Sequence, residues 1–343
     1  MPATNDGAKA TGDGRPSVVL SLNALSETVE AGRLAQAVGF ASVWTTEFTD
    51  RSATVPLAAL AVATEEITLG SAIAYAFGRT PLVLAAEARD LDVLSEGRLI
   101  LGLGTGTRRM QQDWHGLDGE HPAARVEELV PLLRRALRLH EGPIDHRGRF
   151  YRLVVNPTAP VGPPLRADLP IYTAGVNARM VEAAGAVADG LVGHPLFTAD
   201  YVRDVVRPAL ARGAERTERQ RPPPIAGYVT CAVDEDADRA RRNARAVIAF
   251  NSTVKTYQAI HRHHGFEPEA EAIRDAWRSR DWEAMADAVS DRMLDAIALA
   301  GTAAEVRAQY EERRRGLYEW TLLWPPAFTG LEGAAAVIEA FKD

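Results

Sequence analysis

Apolar positions fall into short dense runs separated by longer stretches in which they recur every three or four residues, and the two patterns alternate from Ser17 onward. A short run bounded by polar or glycine-containing segments predicts a strand, and the longer spacing predicts an amphipathic helix. The predicted strands are SVVLSL (17–22), ASVWTT (41–46), ITLGSAI (67–73), RLILGLG (98–104), PIYTAG (170–175), DGLVG (189–193), IAGYVTCAV (225–233) and EWTLLW (319–324). Strands alternating with helices build parallel βαβ units, and a count of eight favours closure into a (β/α)8 TIM barrel over an open sheet.

Helix-start chemistry falls between the strands: Ser26–Glu27 before the first helix, Pro81 before the third, and capping-box spacing at Thr302–Glu305 and Thr329–Glu332. The beat breaks at 142–168, which is rich in proline and glycine, and at 251–300, which adds helical pattern. Both are expected to be insertions on one barrel spanning 17–343, natural lids or partner surfaces where loops carry the site. Residues 1–16 are polar and glycine-rich and are expected to form a disordered tail.

Composition narrows the setting. The chain has 343 residues, 46% hydrophobic and 25% charged, enough to bury a core of this size. No apolar run reaches bilayer length and the start lacks the basic-then-apolar build of a secretion signal, so a cytoplasmic protein without a membrane partner is expected. The formal net charge of -7 opposes non-specific nucleic-acid binding. The one cysteine, Cys231, lies in an apolar strand run and reads as an inert buried thiol, so redox chemistry here requires a cofactor.

The sharpest local feature is Gly97–Thr107, GRLILGLGTGT, a strand that runs into a small-residue turn. Gly102 and Gly104 leave one face of the strand without side chains, and the backbone around Gly104, Thr105, Gly106 and Thr107 can cradle a phosphate. The spacing is G-x-G-x-G, which fails the dinucleotide fingerprint. It also looks like the glycine motif of S-adenosylmethionine methyltransferases, except that Ile100 and Leu101 stand where an acid belongs and three βα units come first. A purely packing role for these glycines is the other reading. Ala174-Gly175-Val176-Asn177 likewise ends a strand and opens the helix 178–188, which would point free N–H groups at an anion with Arg179 adding charge. Gly106→Val is expected to block an anion there while folding survives.

SEGRLILGLGTGT, then Asp113-Trp114-His115-Gly116, then IYTAGVNARMVEAAGAVADGLVGHP (171–195), in that order, resemble the luciferase-like monooxygenase superfamily, most closely its coenzyme F420 (deazaflavin)-dependent oxidoreductase branch. The resemblance covers about residues 17–330 and implies a cofactor phosphate held by Gly104, Thr105, Gly106, Thr107, Gly175, Val176 and Asn177. It further implies cofactor contacts from Trp44 and Ser71, a bulge with a non-proline cis peptide at Ala72–Ile73 behind the ring, and a homodimer.

The same resemblance expects an acid and a histidine after the second strand, where this chain has Glu47 and Phe48, and some branches carry a glutamate where it has Thr107. Glu47 is thus a candidate catalytic residue, with a rim ion pair as its alternative role, and His115 and His194, which fall after strand ends where barrel loops carry the site, are candidates as well. Trp114 and Trp324 would border the substrate. His261, His263 and His264 lack metal-ligand spacing and read as a solvated helix end, so no metal is expected. The implied function is hydride transfer between F420 and a small organic substrate. The alternatives are a reduced-FMN monooxygenase fed by a partner flavin reductase and, from another class, a flavin-binding barrel without turnover.

Overall fold

The computed structural model describes residues 14–342. Eight parallel strands form the barrel: β1 (Pro16–Leu20), β2 (Ser42–Thr45), β3 (Thr68–Ser71), β4 (Leu99–Gly104), β5 (Ile171–Ala174), β6 (Gly190–Val192), β7 (Ile225–Val233) and β8 (Trp320–Trp324). Each pairs with its neighbours in chain order, and β8 pairs with both β7 and β1 to close the ring. All eight predicted strands are present, and the fold is the (β/α)8 barrel with insertions that their count favoured.

Closure follows from which way the side chains point. Successive residues face opposite sides of a strand. One set, including Val18, Val43, Leu69, Leu101, Ile171, Leu191 and Leu323, belongs to the core under the surrounding helices. The other set, including Val19, Trp44, Ile100, Tyr172, Val192 and Trp320, fills the barrel itself. The large interior rings bring polar atoms that are hydrogen-bonded in place. Trp44 Nε1 donates to Ser42 Oγ (2.7 Å), which donates to Ser17 Oγ (2.7 Å), and Trp320 Nε1 donates to the Tyr172 hydroxyl (3.3 Å). The barrel is therefore a packed core, and a site can form only at its rim.

The helices that matter to the rim are α1 (Leu25–Val38), α2 (Thr54–Ala63), α3 (Pro81–Leu94), α4 (Arg108–His115), α5 (Pro122–Leu137), α6 (Ala178–Val187), α7 (Arg207–Arg216), α8 (Ala237–Ser252), α9 (Gln258–His264) and α10 (Glu267–Ser279). Thr80 caps α3 ahead of Pro81, and Thr302 with Glu305 forms the expected reciprocal box. Two other expected caps do not form. Ser26 lies inside the first turn of α1, after the cap residue Ala24, and the Thr329 hydroxyl donates to the Pro326 carbonyl (2.7 Å). α6 crosses α7 backbone to backbone: a Cβ at Gly185 would lie 2.3 Å from the Leu210 carbonyl oxygen, and one at Gly213 2.0 Å from that of Glu182.

Both breaks in the beat are extra structure, and both return to the rim although each follows a helix. Within 142–168 an antiparallel hairpin, Ile144–Arg147 with Arg152–Val155, is clasped to α5 by Glu128, which accepts from Tyr151 N (2.9 Å) and Phe150 N (3.0 Å). Within 251–300, α9, α10 and the helices Trp282–Asp287 and Asp291–Ile297 lead to a short strand, Leu299–Gly301, beside the end of β7. Of the expected tail, Pro16 already begins β1, and residues 1–13 lie outside the described residues. Among the described residues no helix is long and apolar enough to cross a membrane.

Candidate active site

The loops after β2, β3 and β4 converge on one segment, residues 72–79. The Ala72–Ile73 peptide is cis, at the position the resemblance implied. Ala72 N donates to Thr45 O (2.7 Å), Glu47 N to Ile73 O (3.1 Å), and the Tyr228 hydroxyl to Ala72 O (3.1 Å), so the segment is held from three sides. The Ser71 carbonyl that leads into it and the Ile73 side chain fill the face that Gly102 and Gly104 leave without side chains. A Cβ at Gly102 would lie 1.8 Å from Ser71 O, and one at Gly104 2.5 Å from Ile73 Cγ1. These two glycines are thus demanded by strand packing, the alternative the sequence left open.

Glu47 belongs to this scaffold. Its carboxylate takes both arms of Arg79 (2.7 and 2.9 Å) and the backbone N–H of Tyr75 (2.7 Å), and Arg79 Nε also meets Glu87 (3.0 Å). A carboxylate with three donors already on it has little capacity to shuttle protons. Among the sequence candidates, Glu47 therefore takes the rim ion-pair role. Trp44 and Ser71 also depart from expectation. Both are fully buried, Trp44 donating to Ser42 and Ser71 Oγ bridging to Gly102 O (2.7 Å) and from Gly102 N (2.9 Å). They support the rim from beneath. The period-2 alternation places Trp44 inside the barrel, a signal the sequence does contain.

At the end of β4, Gly106 takes φ +65° and a Cβ there would lie 3.2 Å from the Tyr75 ring, so a side chain would meet protein and a strained backbone. Gly106→Val is consequently no clean probe of anion binding. Thr107 caps α4, accepting from Met110 N (3.2 Å), and Thr105 O accepts from Gln111 Nε2 (3.0 Å). At the neighbouring end of β5, Gly175 has the N-terminal turn of α6 against it, 2.9 Å from Val181 N to a Cβ built there. Val176 O accepts from the Tyr201 hydroxyl (3.2 Å), and Asn177 precedes α6 without a side-chain cap, its Nδ2 reaching Thr256 O (3.4 Å). Arg179 turns away and pairs with Glu127 (2.7 Å), so its charge is not available to a ligand at that helix end.

Two helix N-termini, those of α4 and α6, thus stand at adjacent strand ends. The first N–H groups of a helix have no partner within it, and among the described residues those of Arg108 and Ala178 have none elsewhere. Such donors, with the positive end of each dipole, suit an anion. Beside α6 opens a pocket of about 390 Å³ lined by Asn177, Ala178, Tyr201, Arg262 and His263 among others, and Arg262 has no ion-pair partner among the described residues.

The two candidate histidines flank this rim. His115 packs its ring on Tyr75 (centroids 5.0 Å), and its Nε2 is buried without a hydrogen-bond partner. His194 accepts from Leu196 N at Nδ1 (3.2 Å), which leaves Nε2 to carry the ring proton, and it packs on Tyr257 from the insertion (4.0 Å). Burial, with His261 nearby, pushes its pKa down to about 3 and keeps it neutral. Trp114 lies against Phe48 (5.4 Å), and Trp324 against Tyr228 (5.4 Å) while donating to Ser21 Oγ (3.0 Å).

The sequence did not locate Tyr75, Arg79 or Tyr257. Neither did it show that His261 and His264 are packed, whereas His263 keeps the exposure expected of a helix end. His261 is 1% exposed with both ring nitrogens unpartnered, His264 meets Thr198 (2.6 Å), and His263 meets Asp204 (3.4 Å). Their partners lie far off along the chain, beyond the reach of local spacing.

Fold and rim together define a barrel enzyme whose site is built on the carboxyl ends of its strands. The family model for luciferase-like monooxygenases matches residues 2–319. An uncharacterised protein of Mycobacterium tuberculosis is 31% identical over 310 residues, covering 88% of this chain and 90% of its own. The 5,10-methylenetetrahydromethanopterin reductase of Methanolobus tindarius is 30% identical over 285 residues, covering 82% and 84%. Among solved structures, the coenzyme F420-dependent tetrahydromethanopterin reductase of Methanopyrus kandleri superposes with a TM-score of 0.79 at 24% identity, covering 96% and 97%. An FMN complex of the oxygenating constituent of 3,6-diketocamphane monooxygenase from Pseudomonas putida superposes at 0.67 and 15% identity, covering 97% and 98%. This chain belongs to the luciferase-like monooxygenase family. It is an oxidoreductase of the kind that works with a flavin-type or deazaflavin cofactor.

Proposed function

We propose that the chain is an F420-dependent oxidoreductase that transfers a hydride between the deazaflavin and a small organic substrate. The observation that carries this reading is the pair of helix N-termini at the adjacent ends of β4 and β5, whose leading N–H groups fit a phosphate. Gly104, Thr105, Gly106, Thr107, Gly175, Val176 and Asn177 would supply the backbone around that group, with Ala72 and Ile73 behind the ring. When bound, the deazaflavin supplies the hydride chemistry at C5 of its ring.

The residues of the chain then have separate tasks. Glu47 positions segment 72–79 through Arg79 and Tyr75 N. His194 holds a proton at Nε2, and His115 Nε2 offers a second polar contact. Tyr257 and the insertion that carries it shield the β6 side from water. A reduced-FMN monooxygenase with a partner reductase uses the same phosphate cradle. F420 is preferred because the TAGVN turn and the GHP after β6 follow the deazaflavin branch, and because the Methanopyrus enzyme is an F420 enzyme.

Parallel titration of the protein with F420 and FMN, oxidised and reduced, tests the choice, and tighter FMN binding would reverse it. The cradle is tested by Ala178→Pro. Proline is favoured at the first helical position, and Asn177 at φ -86°, ψ 152° already has the backbone that precedes a proline, so the fold is retained while one donor is lost. Cofactor affinity should fall about tenfold to a hundredfold, the loss of one hydrogen bond to a charged acceptor.

Homodimer formation completes the proposal. The outer faces of α2 and α3 expose Val55, Val62, Val83 and Val93, Val62 by 74%, an apolar surface suited to a second copy of itself. Light scattering should give twice the chain mass, and Val62→Glu should shift the equilibrium to monomer.

A further inference from the structure

Phe48 and Trp114 come from the loop after β2 and from α4, meet edge to face at 5.4 Å, and are each 43% exposed. Large rings left half in solvent at the rim of a site present apolar area that a ligand can bury. Trp114 is followed by His115, whose Nε2 is buried with no partner, the kind of orphaned polar atom that a ligand satisfies. His115 in turn packs on Tyr75, and Tyr75 on Glu47 through its backbone, so jaw and orphan are fixed to one scaffold.

Charge on the loops that carry the jaw is already neutralised. Every guanidinium carried by the loops after β2 and β3 and by the first turn of α4 has a carboxylate: Arg51 with Asp50 (3.0 Å), Arg79 with Glu47 (2.7 Å) and Glu87 (3.0 Å), Arg108 with Glu120, and Arg109 with Asp113 (3.0 Å). Arg125 of α5, which has no carboxylate partner among the described residues, is held over the Phe77 ring (4.3 Å) and donates to Asp118 O (2.7 Å), so the loops that carry the jaw themselves offer an anionic substrate no free counter-charge. We propose that Phe48 and Trp114 form an aromatic jaw that selects an uncharged substrate with a flat apolar body, and that His115 Nε2 takes that substrate's one polar atom. The inference rests on the rim being the oxidoreductase site and names the class of substrate it accepts.

The test uses two probes of one shape, acetophenone and benzoate, with toluene as an apolar control, titrated into the F420-loaded protein by calorimetry and by tryptophan fluorescence. Acetophenone should bind at least tenfold more tightly than benzoate. Phe48→Ala and Trp114→Ala should each weaken acetophenone about fivefold or more while F420 affinity stays within twofold, and Phe48→Leu should recover part of the loss. His115→Phe keeps the ring on Tyr75 and removes the polar atom. It should weaken acetophenone severalfold and leave toluene unchanged. Both jaw residues are half-exposed, so folding is retained, and melting curves verify it. Equal binding of benzoate, or acetophenone binding indifferent to Phe48 and Trp114, overturns the jaw. If neither F420 nor FMN binds the wild-type protein while acetophenone still follows charge and jaw in the unloaded protein, the oxidoreductase reading fails and the jaw stands.

Discussion

On the β2–β4 side of the rim every arginine of the loops is paired and the exposed surface is aromatic, whereas on the β5–β6 side Lys255 and Arg262 have no carboxylate partner among the described residues and the α6 N-terminus is uncapped. The same barrel scaffold thus carries one neutral wall and one that favours negative charge. What separates them is the partners: Glu47 neutralises Arg79 on the first side, while Arg179, at the start of α6 on the second, is drawn off to Glu127 and leaves the N–H groups at that helix tip unpaired. A ligand with an anionic end and a neutral reacting end has only one way to lie across such a rim.

The strongest way to test this reading of the rim is to remove the free N–H donors at both helix tips. Ala178→Pro combined with Arg108→Pro deletes the first N–H of both helices, and cofactor affinity should fall on the order of a thousandfold with the circular dichroism spectrum unchanged. Should the double variant bind as the parent does, the phosphate lies elsewhere.

On the neutral side, Glu47→Gln strips the charge that answers Arg79 in a pair whose side chains are only 12% and 16% exposed. Glu87 still faces Arg79 (3.0 Å), so the charge is only partly uncompensated and stability should drop by about 1–3 kcal/mol in urea unfolding. A loss of activity with unchanged stability would instead return Glu47 to a catalytic role.

Acid should act on the β6 side. Burial is the main reason that the pKa values of His194 and His261 fall to about 3 and about 4 in the folded chain, against an ordinary value of 6.5. Above that value neither state takes up a proton and the two residues contribute nothing. Below it the unfolded chain gains protons that the folded one refuses, so stability declines from pH 6.5 toward pH 4, by about 2 kcal/mol per histidine at pH 5. His261→Leu should flatten part of that slope, and an identical slope in the variant would mean that other groups dominate.

The smallest effect is expected from Arg262→Ala. An exposed cation beside the α6 pocket adds a modest attraction for an anion, so cofactor affinity should fall about twofold to fivefold at low salt and the difference should vanish at high salt.

The barrel was legible because its signals are local. Alternation marks each strand, and Pro81 and the Thr302–Glu305 box mark helix starts within a few residues of themselves. The site was legible only as positions. That Ser71 and Ile73 would occupy the space left by Gly102 and Gly104, that Arg79 would claim Glu47 from 32 residues away, and that Thr198 would hold His264 from 66 away depend on which loops meet. Ser26 shows the converse limit: the right residue type two positions too late caps nothing.

The crossing of α6 and α7 at Gly185 and Gly213 has a consequence at the opposite end of α6. Seven residues of helix separate Gly185 from Ala178, a rigid rod of about 10 Å. With its far end seated directly on a neighbouring backbone, the rod has no slack, so the N–H groups at its tip are aimed before any anion arrives and binding need not spend free energy on ordering them. A single methyl at Gly185 would tilt the rod and, if the proposed phosphate cradle holds, be read at its tip as lost affinity, so a contact between two small residues would belong to the calibration of the proposed cofactor site.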